Sequence, residues 1–271
     1  MNRQFILAIA EKDLAEVAKN RIAVMIAVVL SVVFAIGFPL LITQMPILTQ
    51  GSSNPLSFEE ISAIIPPALK GQMALLSPEE LPIVLILGYL IAPLFLVLPL
   101  IVSCIIAAEA FVGEKERKTL EALLYTPATD AELFLGKVLA SLVPGIAYTW
   151  ANFVIFAIVT NIAGYPVMGR IWFPTESWLA LMVFVVPAVA LLGVSATVII
   201  STRVRTFMEA YQASAALVIL IIALMVAQSM GLLFLSPVVA VLVSGAFFAL
   251  DACLIWAGIR IFSRSELITR I

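Results

Sequence analysis

The sequence predicts an all-α integral membrane protein. It has six transmembrane helices, an N-terminal amphipathic surface helix and a short cytoplasmic helix between the second and third spans. Three observations carry this reading. Of 271 residues, 63% are hydrophobic and only 12% charged, whereas a soluble domain is roughly 45–50% apolar and 25% charged. Six apolar runs each supply the roughly 20 helical residues that cross a hydrocarbon core about 30 Å thick. Thirteen of the fifteen Lys and Arg residues fall on one side of those runs, which sets orientation.

The chain reads as one transmembrane domain, 1–271. Its first element is 3-RQFILAIAEKDLAEVAKNR-21. Ile6, Ala10, Leu14 and Val17 recur at near-helical spacing, Phe5 and Ile9 widen that face, and Glu11, Lys12 and Lys19 fall elsewhere. Asp13 and Glu16 intrude on the apolar side. The pattern fits a helix lying on the inner membrane surface, and its charges are wrong for a cleavable signal peptide.

The predicted spans lie near 22–44, 83–109, 137–161, 177–200, 209–234 and 237–260. The fifth and sixth are parted only near Ser236-Pro237, as a tight hairpin or with a re-entrant piece. With both termini cytoplasmic, the inner side holds Arg3, Lys12, Lys19, Arg21, Lys115, Arg117, Lys118, Lys137, Arg203, Arg205, Arg260, Arg264 and Arg270, and the outer side only Lys70 and Arg170. The external loop 45–82 contains two helix starts, Ser57 before Glu59 and Glu60, and Ser77 before Pro78, Glu79 and Glu80. A packed lid over the outer mouth is the expectation.

Between the second and third spans lies 113-GEKERKTLEALLYTPATDAELFLGK-137, with nine charges in 25 residues. The positive-inside rule accounts for its basic residues but not for its five acids. Leu120, Leu123 and Leu124 form an apolar patch on a first helical piece. Pro127 ends that piece. Thr129-Asp130-Ala131-Glu132 is a capping box that starts the helix of the third span. A mixed-charge helix with an apolar stripe suits docking on another protein.

This island resembles the signature of the type 2 ABC transporter permease family. The matching residues are Glu114 and Glu116, Thr119-Leu120-Glu121, Leu123-Leu124, Thr126-Pro127, Glu132 and Gly136-Lys137, with Lys118 standing where glycine is common. The stretches 10-AEKDLAEVAKNR-21 and 262-FSRSELITR-270 are similar to the family's sodium- and drug-exporter-like branches. The resemblance implies that region 113–130 is the coupling helix, seated in a groove of a separate ATPase subunit. Its contact residues would be Glu114, Glu116, Arg117, Thr119, Leu120, Glu121, Leu124, Thr126 and Pro127. The N-terminal surface helix would touch the same subunit. Six spans would form half of a membrane unit, paired as a homodimer or with a related permease, alongside two ATPase subunits that hold ATP and Mg. The pathway would be lined mostly by the first, second and fifth spans. The resemblance also implies an exporter in a prokaryotic inner membrane.

The chain contains no GxxxxGK[ST] and no glycine-rich phosphate cradle, so no cofactor is expected on the chain itself. Histidine is absent, which removes Ser-His and Cys-His pairs and HExxH zinc sites. No catalytic or metal-ligating set is expected, and no nucleic-acid partner; membrane lipids are the remaining partner. Cys104 and Cys253 lie in apolar runs and read as small buried hydrophobes.

Ionisable residues inside a membrane are functional candidates. Asp251 sits about 13 Å from the inner end of the sixth span and reads first as a structural polar contact. Glu109 closes the second span and is expected to seat the coupling helix. Asn152, Asn161, Gln212 and Gln228 read as helix–helix hydrogen-bonding groups. The alternative to an ATP-driven exporter is an ion-coupled secondary carrier using Asp251, which lacks the repeated broken helices such carriers show. A membrane enzyme finds no supporting residues.

Overall fold

In lipid every backbone polar group must be bonded within the chain, which leaves helices as the economical spanning element for this composition. The computed structural model describes residues 11–12, 15–49, 70–73, 75–117, 130–230 and 236–261. Among these there is no strand, and six helices are long and apolar enough to cross a membrane: α1 (Arg21–Gln44), α2 (Glu80–Glu116), α3 (Glu132–Met168), α4 (Glu176–Ser201), α5 (Phe207–Ser229) and α6 (Pro237–Gly258).

Local chemistry sets several of the starts. Asn20 has extended backbone, and its side-chain oxygen accepts the N–H groups of Ile22 (3.1 Å) and Ala23 (3.3 Å), so it caps α1. Ahead of α2, Ser77 Oγ accepts Glu80 N–H at 3.2 Å while Ser77 N–H donates to Glu80 Oε2 at 2.8 Å. This reciprocal pair is a capping box. Thr206 Oγ1 accepts Glu209 N–H at 3.2 Å and caps α5. Pro237 opens α6, where its missing N–H costs nothing.

Helix α2 is the axis of the bundle, packed by α1, α3, α4 and α5, while α6 rests on α4. In its most apolar window 89% of residues are buried, against 67% for α4 and 17% for α1, α5 and α6. At 37 residues α2 is about 55 Å long, well beyond the hydrocarbon thickness. Close approach of α4 to α2 depends on Gly193, where a Cβ would lie 2.9 Å from the Leu100 carbonyl oxygen.

Toward the other end of α2, Phe95, Phe156, Phe173 and Trp178 form a buried edge-and-stack cluster with centroids 5.1–5.4 Å apart. Trp178 Nε1 donates to the Gly88 carbonyl at 2.9 Å. That carbonyl lies in a π-helical turn, Ile86–Leu90, where the regular ladder is broken and acceptors are released. Asn161 differs from its expected interhelical role. Its side-chain oxygen accepts Trp172 N–H (3.1 Å) and Phe173 N–H (3.2 Å), and its Nδ2 donates to the Phe173 carbonyl (2.7 Å). The amide thus binds the loop after α3, because that loop offers free backbone groups and a neighbouring helix does not. Gln228 does bond across helices, to the Tyr89 carbonyl, whereas Asn152 bonds back to Tyr148 of its own helix. Cys104 is buried, but Cys253 is exposed on the outer face of α6, correcting its expected burial.

Several expectations lie outside the described residues. They are the surface-helix residues 3–10 and 13–14, most of the external loop at 50–69, the Ser57 helix start, residues 118–129 with the Leu patch and Thr129, the break at 231–235, and the tail 262–270.

Candidate functional site

The charged end of α2 is the candidate site. Its last turns and C-cap carry Glu109, Glu114, Lys115, Glu116 and Arg117, and between them these bond the N-terminal segment, Asn20, α3 and the junction of α4 and α5. Glu109 and Glu114 are buried, with side chains only 3% and 1% exposed. Buried charges survive only when paired and hydrogen-bonded, and both are.

Glu114 is held between two lysines. Lys137 of α3, itself 1% exposed, donates to Glu114 Oε2 at 2.7 Å, and Lys12 of the N-terminal segment donates to Oε1. Lys137 also donates to the Ala110 carbonyl and lies 5.7 Å from the Phe111 ring centroid. Glu109 accepts Arg117 Nη1 at 2.6 Å on one oxygen and Asn20 Nδ2 at 3.0 Å on the other. Asn20 therefore caps α1 with its oxygen while its amide ties α1 to α2. Arg117 continues to Glu16 at 2.8 Å. The Glu109 carboxylate, by hydrogen bond and charge, pushes the Arg117 guanidinium above its ordinary value.

The geometry of the Glu109–Arg117 pair has a backbone cause. In a regular α-helix eight residues overshoot whole turns by about 80°, so i and i+8 diverge. Residues Glu109–Gly113 form a π turn, and its extra residue brings Arg117 back to the face of Glu109. Gly113 lies between them on that face. A Cβ there would be 3.1 Å from the Glu109 carboxylate and 3.2 Å from Arg117 Nη2. The pair closes over the glycine.

The remaining two charges reach the start of α5 and the loop before it. Glu116 Oε2 accepts Phe207 N–H at 2.8 Å, which places a carboxylate on the positive end of that helix. Lys115 donates to the Val204 carbonyl at 3.2 Å. A polar cavity of about 330 Å³ opens among Glu16, Lys19, Asn20, Glu116, Arg117 and Phe207.

Of the sequence-selected residues, Glu109, Glu114, Glu116 and Arg117 converge here, with Glu109 and Glu114 turned inward. Thr119, Leu120, Glu121, Leu124, Thr126 and Pro127 lie outside the described residues. Lys12, Glu16, Asn20 and Lys137 were not selected as site residues. One signal for them was in the sequence: Glu16 breaks the apolar face of the N-terminal segment, and its partner is Arg117.

Asp251 is elsewhere, on α6. It is fully buried, and Ser195 Oγ of α4 donates to its Oδ1 at 3.1 Å. Two residues on, Thr197 Oγ1 bonds Ser214 Oγ of α5 at 2.8 Å. Helix α4 thus carries polar ties to both α5 and α6. Among the described residues no group of three or more Cys, Asp or Glu side chains is arranged to hold a metal ion.

No curated protein matches the sequence. The sequence model of the ABC-2 family transporter proteins matches residues 7–241, a range that takes in the N-terminal segment, α1 to α5 and the charged end of α2, and the chain belongs to that family as a multi-pass membrane permease component of an ABC transporter.

Proposed function

We propose that the chain is the membrane half of an ATP-driven exporter in a prokaryotic inner membrane. It pairs with a second copy or a related permease and with two separate ATPase subunits that hold ATP and Mg. The charged end of α2 faces the cytoplasm, and residues 118–129 seat in the ATPase.

One observation carries this reading. The segment 118–129 leaves α2 at Arg117 and rejoins the chain at the start of α3, the two helices that Glu114 and Lys137 pin together. The same end of α2 is bonded to the N-terminal segment, to α1 through Asn20 and to the start of α5. A displacement of the connecting segment would therefore reach α1, α3 and α5 together. The sparse charge within the spans favours an amphipathic, lipid-like cargo.

Glu121→Lys, Leu124→Asp and their combination test the docking. The tagged chain is purified in mild detergent from its host and its associated subunits are weighed by mass spectrometry. The wild type is expected to retain a P-loop ATPase in equal amount. The double variant should insert normally and lose it. Full retention by the double variant would refute seating through 118–129. Recovery of only the permease from wild type at low salt would refute the ATPase partnership.

A further inference from the structure

The chain bends at Asn20, and a concave groove lies against that corner. A groove of about 370 Å³ runs from Lys19 and Arg21 along an apolar stripe of Val24, Met25, Val28 and Val29. All six of these side chains are exposed. Among the described residues neither Lys19 nor Arg21 forms an ion pair, although the neighbouring charges Lys12, Glu16, Glu109, Glu114 and Arg117 are all paired.

Arg21 is also poorly placed for its own helix. It occupies the first turn of α1, where the positive end of the macrodipole repels a cation. An anion beside it relieves that repulsion. From Arg21 to Val29 the helix rises about 12 Å, enough to line the upper half of an acyl chain. A second groove, of about 140 Å³, adjoins the first across Ala18 and Val24 and is walled by Val17, Ala23, Ala27, Val102, Ile105 and Ile106. Two apolar channels thus flank one ridge, with two cations that pair with no described residue at the rim of the larger.

The geometry points to a binding site for an anionic phospholipid: its headgroup phosphate lies on Lys19 and Arg21, and its two acyl chains straddle the Ala18–Val24 ridge. The charge selects an anionic headgroup over a zwitterionic one, and the paired grooves select a diacyl lipid over a free phosphate. The site exists whether or not an ATPase docks nearby. Because the lipid would bear on the segment that carries Lys12, Glu16 and Asn20, its occupancy would stiffen the ties of that segment to α2.

The test uses the full chain reconstituted in phosphatidylcholine vesicles, with spin-labelled phosphatidylglycerol and spin-labelled phosphatidylcholine of equal chain length. The fraction of each label immobilised on the protein is read by electron paramagnetic resonance. One Lys or Arg at an anionic surface contributes about 1 kcal/mol, or about fivefold. The wild type is expected to prefer phosphatidylglycerol by at least fivefold. K19Q/R21Q should lose that preference, and Arg21→Lys should keep most of it. Arg203→Gln, an exposed basic residue that does not line the groove, should leave it unchanged, and V24W/V28W should reduce binding with both cations intact. Helicity by circular dichroism checks the fold of each variant. Absence of preference in wild type, its survival in K19Q/R21Q, or equal loss in Arg203→Gln would overturn the site. So would full oxidation of a Met25→Cys variant to a dimer without retained lipid, which would put a second copy in the groove.

Discussion

Replacing Lys137 with methionine isolates the central ion pair. The substitution removes the charge at nearly constant length, and it strips Glu114 of its α3 partner and the Ala110 carbonyl of its donor. Glu114 would remain 1% exposed with Lys12 as its partner, and Lys12 is itself 41% exposed. Breaking one side of a buried pair costs about 3–5 kcal/mol, because the stranded charge is not resolvated. The partial compensation by Lys12 puts the expected loss near the lower end, about 3 kcal/mol. Glu114→Gln alone should cost a similar amount by removing the buried countercharge of Lys137. The double variant E114Q/K137M buries no charge there and should return to within about 1 kcal/mol of the parent. The assay is unfolding in mixed micelles titrated with dodecyl sulfate, followed by tryptophan fluorescence. A single-variant cost below about 1 kcal/mol, the range of an exposed pair, would refute the claim that this pair is shielded and structural. Additive costs in the double variant would show that the two residues do not act through each other.

The other predictions concern different layers of the bundle. Gly193→Ala should destabilise by about 1–3 kcal/mol, since its Cβ meets the Leu100 carbonyl, whereas Gly245→Ala, with open space around it, should be neutral or slightly stabilising; thermal melts of the purified protein compare them. Raising salt from 0.1 to 1 M should loosen the exposed Arg117–Glu16 pair by well under 1 kcal/mol and speed hydrogen exchange over residues 15–19, while amides flanking Glu114 stay protected; equal acceleration at both would contradict their different burial. Asp251→Asn keeps an acceptor for Ser195 and should preserve both fold and the ATP hydrolysis of the assembled complex, while Asp251→Leu should cost about 1 kcal/mol, the scale of one interhelical bond in a membrane. Loss of transport in a folded Asp251→Asn protein would instead assign that acid to an ion route.

Much of the fold was legible because the bilayer imposes a strict length and composition rule. Runs such as 177–200 and 237–260 announce themselves as spans without any tertiary information. The capping chemistry at Ser77 and Glu80 was legible for a similar reason, since both partners lie within one turn. The charge network was not. Glu16 and Arg117 are 101 positions apart in the chain, and Asn20 and Glu109 are 89 apart, so no local pattern links them. Glu116 illustrates the same limit. Its place in a charged island suggested contact with a partner, and no local pattern shows that its carboxylate caps α5, a helix that begins about ninety residues later. Nor does hydropathy mark the π turn at Glu109–Gly113, because an inserted backbone residue leaves the apolar content unchanged.

That turn has a mechanical meaning. If it relaxed to regular α-helix, everything beyond Gly113 would rotate by about 100° about the helix axis, and Arg117 would swing away from Glu109 and Glu16 together. The two ion pairs therefore act as a key in a shaft: they resist torque while leaving bending comparatively free. A partner pulling on the chain after Arg117 could tilt the end of α2 as one piece, but to twist it the partner would first have to shear both pairs.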